Sequence, residues 1–363
     1  MTKKRNLLTV PVEPFEVVPQ ATAEEILLRM ERISFQGRNL GTAHKVWKKM
    51  LADQVLIFLG IAGALSAGGL RMIIAYLITN RFVDCLVSTG ANLYHDLHET
   101  RGGRHFLGTP VMDDELLRSA RIDRVYDTLV SEDEFIDNDN WIAEFARTLK
   151  HRQYTSREFL YLLGGHLWNE TKREGILTSA YRSRVPIFCP GIADSSIGMG
   201  LSQASHLTRG TGHINVIGDI IESTNLVINN PRTASVVIGG GTPKNFINQA
   251  SVQADFYRGD IKGHHYALQI VTDVPHFGGA SGSTLDEAKS WGKISRSADQ
   301  VTVNVDATIA LPLLVSGLAS SANVLLTSRK PSSFDLSTRM MAVDGVRFSS
   351  AQFLKPAMTS PNH

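Results

Sequence analysis

The sequence predicts an α/β fold, a doubly wound and mostly parallel sheet, on two observations. Short apolar runs recur between residues 54 and 306, and four of them are continuous rather than alternating, as strands covered on both faces are. Segments with helical apolar spacing separate most of these runs. With 363 residues, 43% of them hydrophobic, the chain has the length and apolar content for one large domain or two modest ones. Its 20% of charged residues is that of a globular chain, not a disordered one.

In chain order, residues 1–20 carry prolines at 11, 14 and 19 and read as an irregular arm. Helical spacing follows from Ala21 to Lys49, clearest in TAEEILLRMERI, so residues 1–49 form an N-terminal arm and helix. A single domain is expected over 50–325. Its candidate strands are 54–60, 83–89, 185–191, 213–218, 234–240, 266–272 and 300–306. The run VLIFLGIAGALSAGGLRMIIAYLI (55–78) has the length of a membrane span. Arg71 and glycines at 60, 63, 68 and 69 divide it instead into a buried strand, a Gly-rich turn and a helix. Residues at about 100–180 are charged and mostly helical and read as an insertion. From residue 326 the composition turns to Ser, Pro and Lys, which predicts a loosely ordered tail over 326–363.

A net charge of +2 gives no reason to expect nucleic acid or an acidic membrane surface as partner. Cys85 and Cys189 supply neither a disulfide framework nor metal-ligand spacing, so no metal is expected and a cytoplasmic setting is the simplest reading. The first 20 residues are basic but lack the long apolar core of a secretion signal.

In open α/β sheets ligands bind beyond the carboxyl ends of the strands. Gly-rich turns follow two of the runs, GIAGALSAGG and GGGTPKN, and glycine lets backbone N–H groups approach a phosphate. Neither is a G-x-G-x-x-G, and a tight strand-to-helix turn is the plainer use of each. Polar turns at 88–92, 191–200, 272–283 and 306–308 add to the same edge. Asp194 and Asp306 suit a ribose hydroxyl or a helix N-cap. His95, His264, His265 and His276 stand near loop ends, where a histidine is either an acid/base group or a satisfied structural one. Lys293, in DEAKSWGKIS, is either an exposed lysine or an amine held beside the Trp291 ring to form an imine.

The box EAKSWGKI (287–294), with VIGGG before it and NVDATIALPLLV after it, resembles deoxyhypusine synthase, as does VPIFCPGIADSSIG. The likeness covers roughly residues 50–320. It implies a Rossmann-like domain, assembled as a homotetramer, that uses NAD to move an aminobutyl group from spermidine to a lysine of the hypusine-bearing translation factor. The group travels as an imine on an active-site lysine, and that lysine corresponds to Lys293. By the same resemblance Glu287 and Trp291 bind substrate. Gly63, Ala64, Ala67, Thr89, Gly90, Ala91, Asp194, Gly240, Thr272, Asp273, Asp306 and Ala307 fall on the cofactor-binding turns.

Several positions depart from the family pattern. Its histidine after the triple-Gly turn is Asn245, its acidic pair after the second strand is Tyr94-His95, and a further aspartate is Met199. The polyamine-gripping loop reads Phe277-Gly278-Gly279-Ala280. Burying the ammonium groups of a polyamine requires carboxylates, and this set is depleted. Asn245 has no basic atom, and His95 is the group that would replace the missing histidine if it faces the same cavity. Three readings follow. The first is a deoxyhypusine synthase-like transferase with another donor or acceptor, such as homospermidine formation from a diamine. The second is deoxyhypusine synthase itself, and the third is a non-catalytic NAD-binding relative.

Overall fold

The computed structural model describes residues 8–208, 213–230, 232–279 and 283–347. Its centre is a six-stranded parallel sheet. The strands are β1 (Leu56–Ile61), β2 (Cys85–Ser88), β6 (Ile187–Phe188), β7 (Thr233–Ile238), β8 (His264–Ile270) and β9 (Ile294–Val303). Their spatial order is β6-β2-β1-β7-β8-β9. All six residues of β1 and of β7 are buried, which is why their sequences are continuously apolar. The strand period of two still sorts them. Ile57, Leu59 and Ile61 enter the larger core, and Leu56 and Phe58 enter a second core on the opposite face.

The larger core is covered by α1 (Ala23–Met30), α2 (Phe35–Ala52), α3 (Arg71–Thr79), α4 (Gly90–Arg101) and further helices of the 132–183 region. Thr22 opens α1 with a reciprocal capping box to Glu25. The 55–78 stretch folds as expected, into β1, a Gly-rich turn and α3, and no helix among the described residues has the length and apolarity to cross a membrane.

Three expectations are corrected. Residues 213–218 are not a strand. Asn215 caps α10 (Val216–Asn229), its side chain accepting from Gly218 N at 3.0 Å, and Ile217 is exposed. An apolar run short enough for a strand was a helix start, which content alone does not distinguish. The segment near 100–180 is mostly helical, as expected, but it is not set apart from the main core. It also holds a three-stranded antiparallel sheet of β3 (Phe106–Leu107), β4 (Ile122–Val125) and β5 (Thr128–Ser131), while Phe159, Leu160, Leu163 and Leu167 of α7 (Ser156–Thr171) belong to the main core. The tail is not loose as far as it is described. Phe334, Leu336, Met341 and Val343 complete the second core, beside Leu226, Val227 and Ile247. The rest of the tail lies outside the described residues.

A buried ion pair holds that tail. Arg157 and Glu222 are both fully buried and joined by bonds of 2.9 and 2.6 Å. Arg157 also donates to the carbonyls of Leu336, Thr338 and Arg339, and Glu222 accepts from Met341 N at 3.0 Å. Arg157→Met leaves Glu222 charged and without its partner in the core, so it should cost about 3–5 kcal/mol in a urea titration. Proteolysis should then begin within 333–347. Changing both residues to Met should recover part of the loss.

Candidate active site

From β1 the chain moves outward through β2 to β6, and from β7 it moves the opposite way through β8 to β9. The loops leaving β1 and β7 therefore part, and a crevice opens between them at the carboxyl edge. A cavity of about 300 Å³ occupies it, lined by Ala62, Gly63, the Gly239–Gly241 turn, Thr272, Asp273, Asp306 and Ala307. Gly63, Gly239 and Gly241 have φ of 73°, 79° and 58°, a region that disfavours side chains, so their peptide groups stand bare.

Three helices start along this edge: α4 at Gly90, α11 (Gly241–Arg258) and α13 (Ala307–Ser320). Asp306 caps α13, accepting from Thr308 N at 2.7 Å, so the helix-cap use of this aspartate is realised. Thr89 Oγ1 donates to Gly63 O at 2.7 Å and Asn92 Oδ1 accepts from Ser66 N at 3.1 Å, tying the first two turns together. Gly90 carries no side chain because Ser195 Oγ would lie 2.2 Å from its Cβ. The donors aimed at the cavity are backbone N–H groups and helix dipoles, and no Lys or Arg lines it among the described residues. That set suits a diphosphate approached by backbone. Ser66 Oγ, buried beside the first turn, has no partner among the described residues.

Lys293 is not a surface lysine. Only 8% of it is exposed. Thr284 and Glu287 form a reciprocal capping box at the start of α12 (Leu285–Ser290). The helix stops at Trp291, and Gly292 turns the chain with φ 69°. Lys293 N then bonds Ala288 O, and His264 N bonds Lys293 O, both at 3.0 Å. The lysine is thus pinned between a helix end and the first residue of β8. Its Nζ lies 5.2 Å from the centroid of the Trp291 ring, and that ring is 67% exposed, available to a ligand.

Lys244 was not singled out in the sequence, yet it is fully buried in the first turn of α11 and donates from Nζ to Ser283 O. Burial first, then the charge of Lys293, pushes its ammonium down to about 8, and Glu287 opposes that shift. The signal was present. GGGTPKN places a lysine directly after the proline of a helix start, a position the glycines before it make easy to overlook. Backbone and side-chain hydrogen bonds with Thr284, and then the charge of Lys244, hold the Glu287 carboxyl below its ordinary range.

Not every candidate joins this group. Gly63, Gly240, Thr272, Asp273, Asp306 and Ala307 line the cavity, Thr89 touches it through Gly63, and Ala67 is buried at the foot of the first turn beside Ala64. Asp194 is exposed in the turn after β6, one residue before the Ser195 that meets Gly90, and Ala91 follows Gly90 on α4. His95 does not line the cavity. Its Nδ1 is 2.8 Å from His105 Nε2, and His105 Nδ1 is 2.7 Å from Glu99. Burial and the two neighbouring histidines push His95 down to about 4, so it is neutral. Tyr94 donates to Asp139 at 2.7 Å. Asn245 lines a different, apolar groove of about 590 Å³ with Phe246, Phe256 and Ile220, because one residue along a helix turns the side chain about 100° away from Lys244. His264 is structural, bonded to Thr233 Oγ1 at 2.7 Å. Gly279 packs on the Asp273 carboxylate, and Met199 is exposed; Ala280 lies outside the described residues.

A doubly wound sheet with a backbone-lined crevice at its carboxyl edge, and a buried lysine beside an aromatic ring where β9 begins, defines a class of lysine-bearing α/β proteins. The family model for deoxyhypusine synthase matches residues 25–318, and the chain belongs to that family of aminobutyl transferases. A "Probable deoxyhypusine synthase 2" of Archaeoglobus fulgidus is 48% identical over 290 residues, 80% of this chain and 95% of its own. The protein of the same name from Methanosarcina acetivorans is 45% identical over 316 residues, covering 86% of this chain and 90% of its own. A "Deoxyhypusine synthase-like protein" of Coxiella burnetii is 38% identical over 323 residues, again 86% and 90%. The fold is also that of a crystal structure assigned as a deoxyhypusine synthase from Entamoeba histolytica. Its TM-score is 0.60 at 17% identity, over 86% of this chain and 98% of that one.

The turn at Gly292 sets the aim of Lys293. A Cβ there meets no atom within 4 Å, so the backbone conformation alone is at stake. Gly292→Ala should lower stability by about 1 kcal/mol in denaturant unfolding, and Gly292→Asn by less, since asparagine tolerates this conformation.

Proposed function

We propose that this chain is an NAD-dependent transferase that moves an aminobutyl group from a polyamine or diamine to an amine acceptor through an imine on Lys293. The observation that carries the reading is the burial of Lys293 against the Trp291 ring, in the segment that begins β9. A lysine kept from water and flanked by an aromatic face is suited to covalent work.

The crevice fits a dinucleotide. Its glycines leave backbone N–H groups open to a diphosphate, and α11 and α13 point their N-termini at it. Asp306 and Asp273 border the cavity at positions suited to ribose hydroxyls. When bound, NAD supplies hydride acceptance and return at the carbon that changes nitrogen partners. Trp291 offers its face to an ammonium group, Glu287 offers a carboxylate, and the Lys293 amine forms the covalent link. The carboxylates are few for a long polyamine, which favours a diamine or a short donor. The names of the archaeal relatives favour a second reading, deoxyhypusine synthase itself, whose acceptor is a protein lysine. The thiols Cys85 and Cys189 are free and buried, in keeping with a cytoplasmic setting.

A homotetramer is part of the proposal. The groove beside Asn245 is apolar, and Phe256 on its wall is 78% exposed, which suits contact between subunits. Light scattering at micromolar concentration should give four chains per particle, and a monomer contradicts this part.

Chemistry is tested with labelled putrescine and spermidine, NAD and borohydride. Wild type should retain one labelled aminobutyl group per chain on Lys293. Lys293→Ala and Lys293→Arg should retain none, while keeping the fold and NAD affinity in calorimetry, because a guanidinium does not form the imine. Trapping on a protein acceptor rather than a free amine selects the second reading. NAD binding without any transfer selects a non-catalytic relative.

A further inference from the structure

The second lysine has no evident reason to be where it is. A buried side chain in the first turn of an 18-residue helix suits an acceptor or an anion, since the helix dipole is positive there. Lys244 instead brings an ammonium, with no exposed surface at all, to that end of α11. It reaches the carbonyl of Ser283, immediately before the helix that carries Glu287 and leads to Lys293. Among the charged groups acting on it are Lys293 and Glu287. Lys244 thus lies in the field of a second cation and one carboxylate, and its burial makes its own charge costly. Asn245, next along the helix, faces away.

We propose that Lys244 is the proton-exchange partner of Lys293. This deepens the transferase reading above and rests on it. The step balances as follows. The Lys293 ammonium gives its proton to the neutral Lys244 amine. Lys293 Nζ then attacks the imine carbon, a new C–N bond forms, and the Lys244 ammonium gives its proton to the nitrogen that is to depart. The Lys244 amine next takes a second proton from the Lys293 nitrogen of the adduct and passes it to the same departing nitrogen. The bond from the carbon to that nitrogen then breaks, which leaves a protonated imine on Lys293, a free primary amine and a neutral Lys244. No electrons leave or enter in this exchange. The Ser283 carbonyl keeps Lys244 Nζ on station in both protonation states, since an amine and an ammonium both donate to it. An amine that titrates at about 8 loses and regains a proton readily near neutral pH, as such a shuttle requires.

The test compares wild type, Lys244→Met and Lys244→Arg in two arms across pH 6–10. The first arm adds acetaldehyde and borohydride, with no cofactor or donor, and follows the ethyl group added to Lys293 by peptide mass. The second follows single-turnover trapping from labelled putrescine with NAD. In the first arm wild type should show an inflection near pH 8, and both variants should lose it and label at least about tenfold more slowly near neutrality. In the second arm both variants should be slower by about 100-fold or more, with NAD affinity unchanged. Lys244→Arg guards against loss of fold, because it retains a donor for Ser283 but no removable proton. Labelling of Lys244→Arg with the wild-type rate and inflection overturns the proposal, since Lys244 is then only a tether for the 283–284 segment. If the first arm behaves as stated and wild type transfers no aminobutyl group, the lysine pair stands and the transferase reading falls.

Discussion

The functional architecture depends on a reversal of chain direction. β1 and β7 are hydrogen-bonded neighbours over six residue pairs, Leu56 with Thr233 through to Ile61 with Ile238, yet the chain leaves them toward opposite edges of the sheet. Two loops that leave adjacent strands in opposite directions leave a gap between them. The glycines of the turns after β1 and β7 and the start of α13 are arranged around that gap, while the backbone of the α12–β9 corner with its lysine lies where β8 and β9 begin.

The corner shows how local chemistry fixes a reactive group. Lys293 has a flexible stem, and its backbone is held by one bond to the helix it leaves and another to the strand beside it. Gly292 supplies the turn, and the capping box at Thr284 and Glu287 anchors the far end of a helix only six residues long. Glu287 therefore serves two purposes, capping its helix and setting negative charge near Lys244.

The sheet was legible because β1, β2, β6 and β7 are buried on both faces and their sequences carry no alternation to misread. The crevice was legible from where the Gly-rich turns fall relative to those strands. What the sequence hid depends on facing. His95 follows a strand end, as a site residue would, but α4 turns it toward His105, which Glu99 of the same helix holds in turn. Asn245 and Lys244 are adjacent in sequence and diverge in space. The 213–218 run has a strand's composition, and the Asn215 cap decides against it. The docked tail was invisible because its anchor is a buried ion pair between α7 and α10, and only three-dimensional pairing reveals that Arg157 and Glu222 need its carbonyls and amide.

That anchor also orders events in time. Arg157 and Glu222 belong to elements made well before residues 336–341, and each remains short of hydrogen-bond partners until those residues emerge. During synthesis the second face of the sheet therefore stays incomplete, with Phe58, Val87 and Phe188 lacking the cover that Phe334 and Met341 later provide. Residues 334–343 are thus the last-made part of that face.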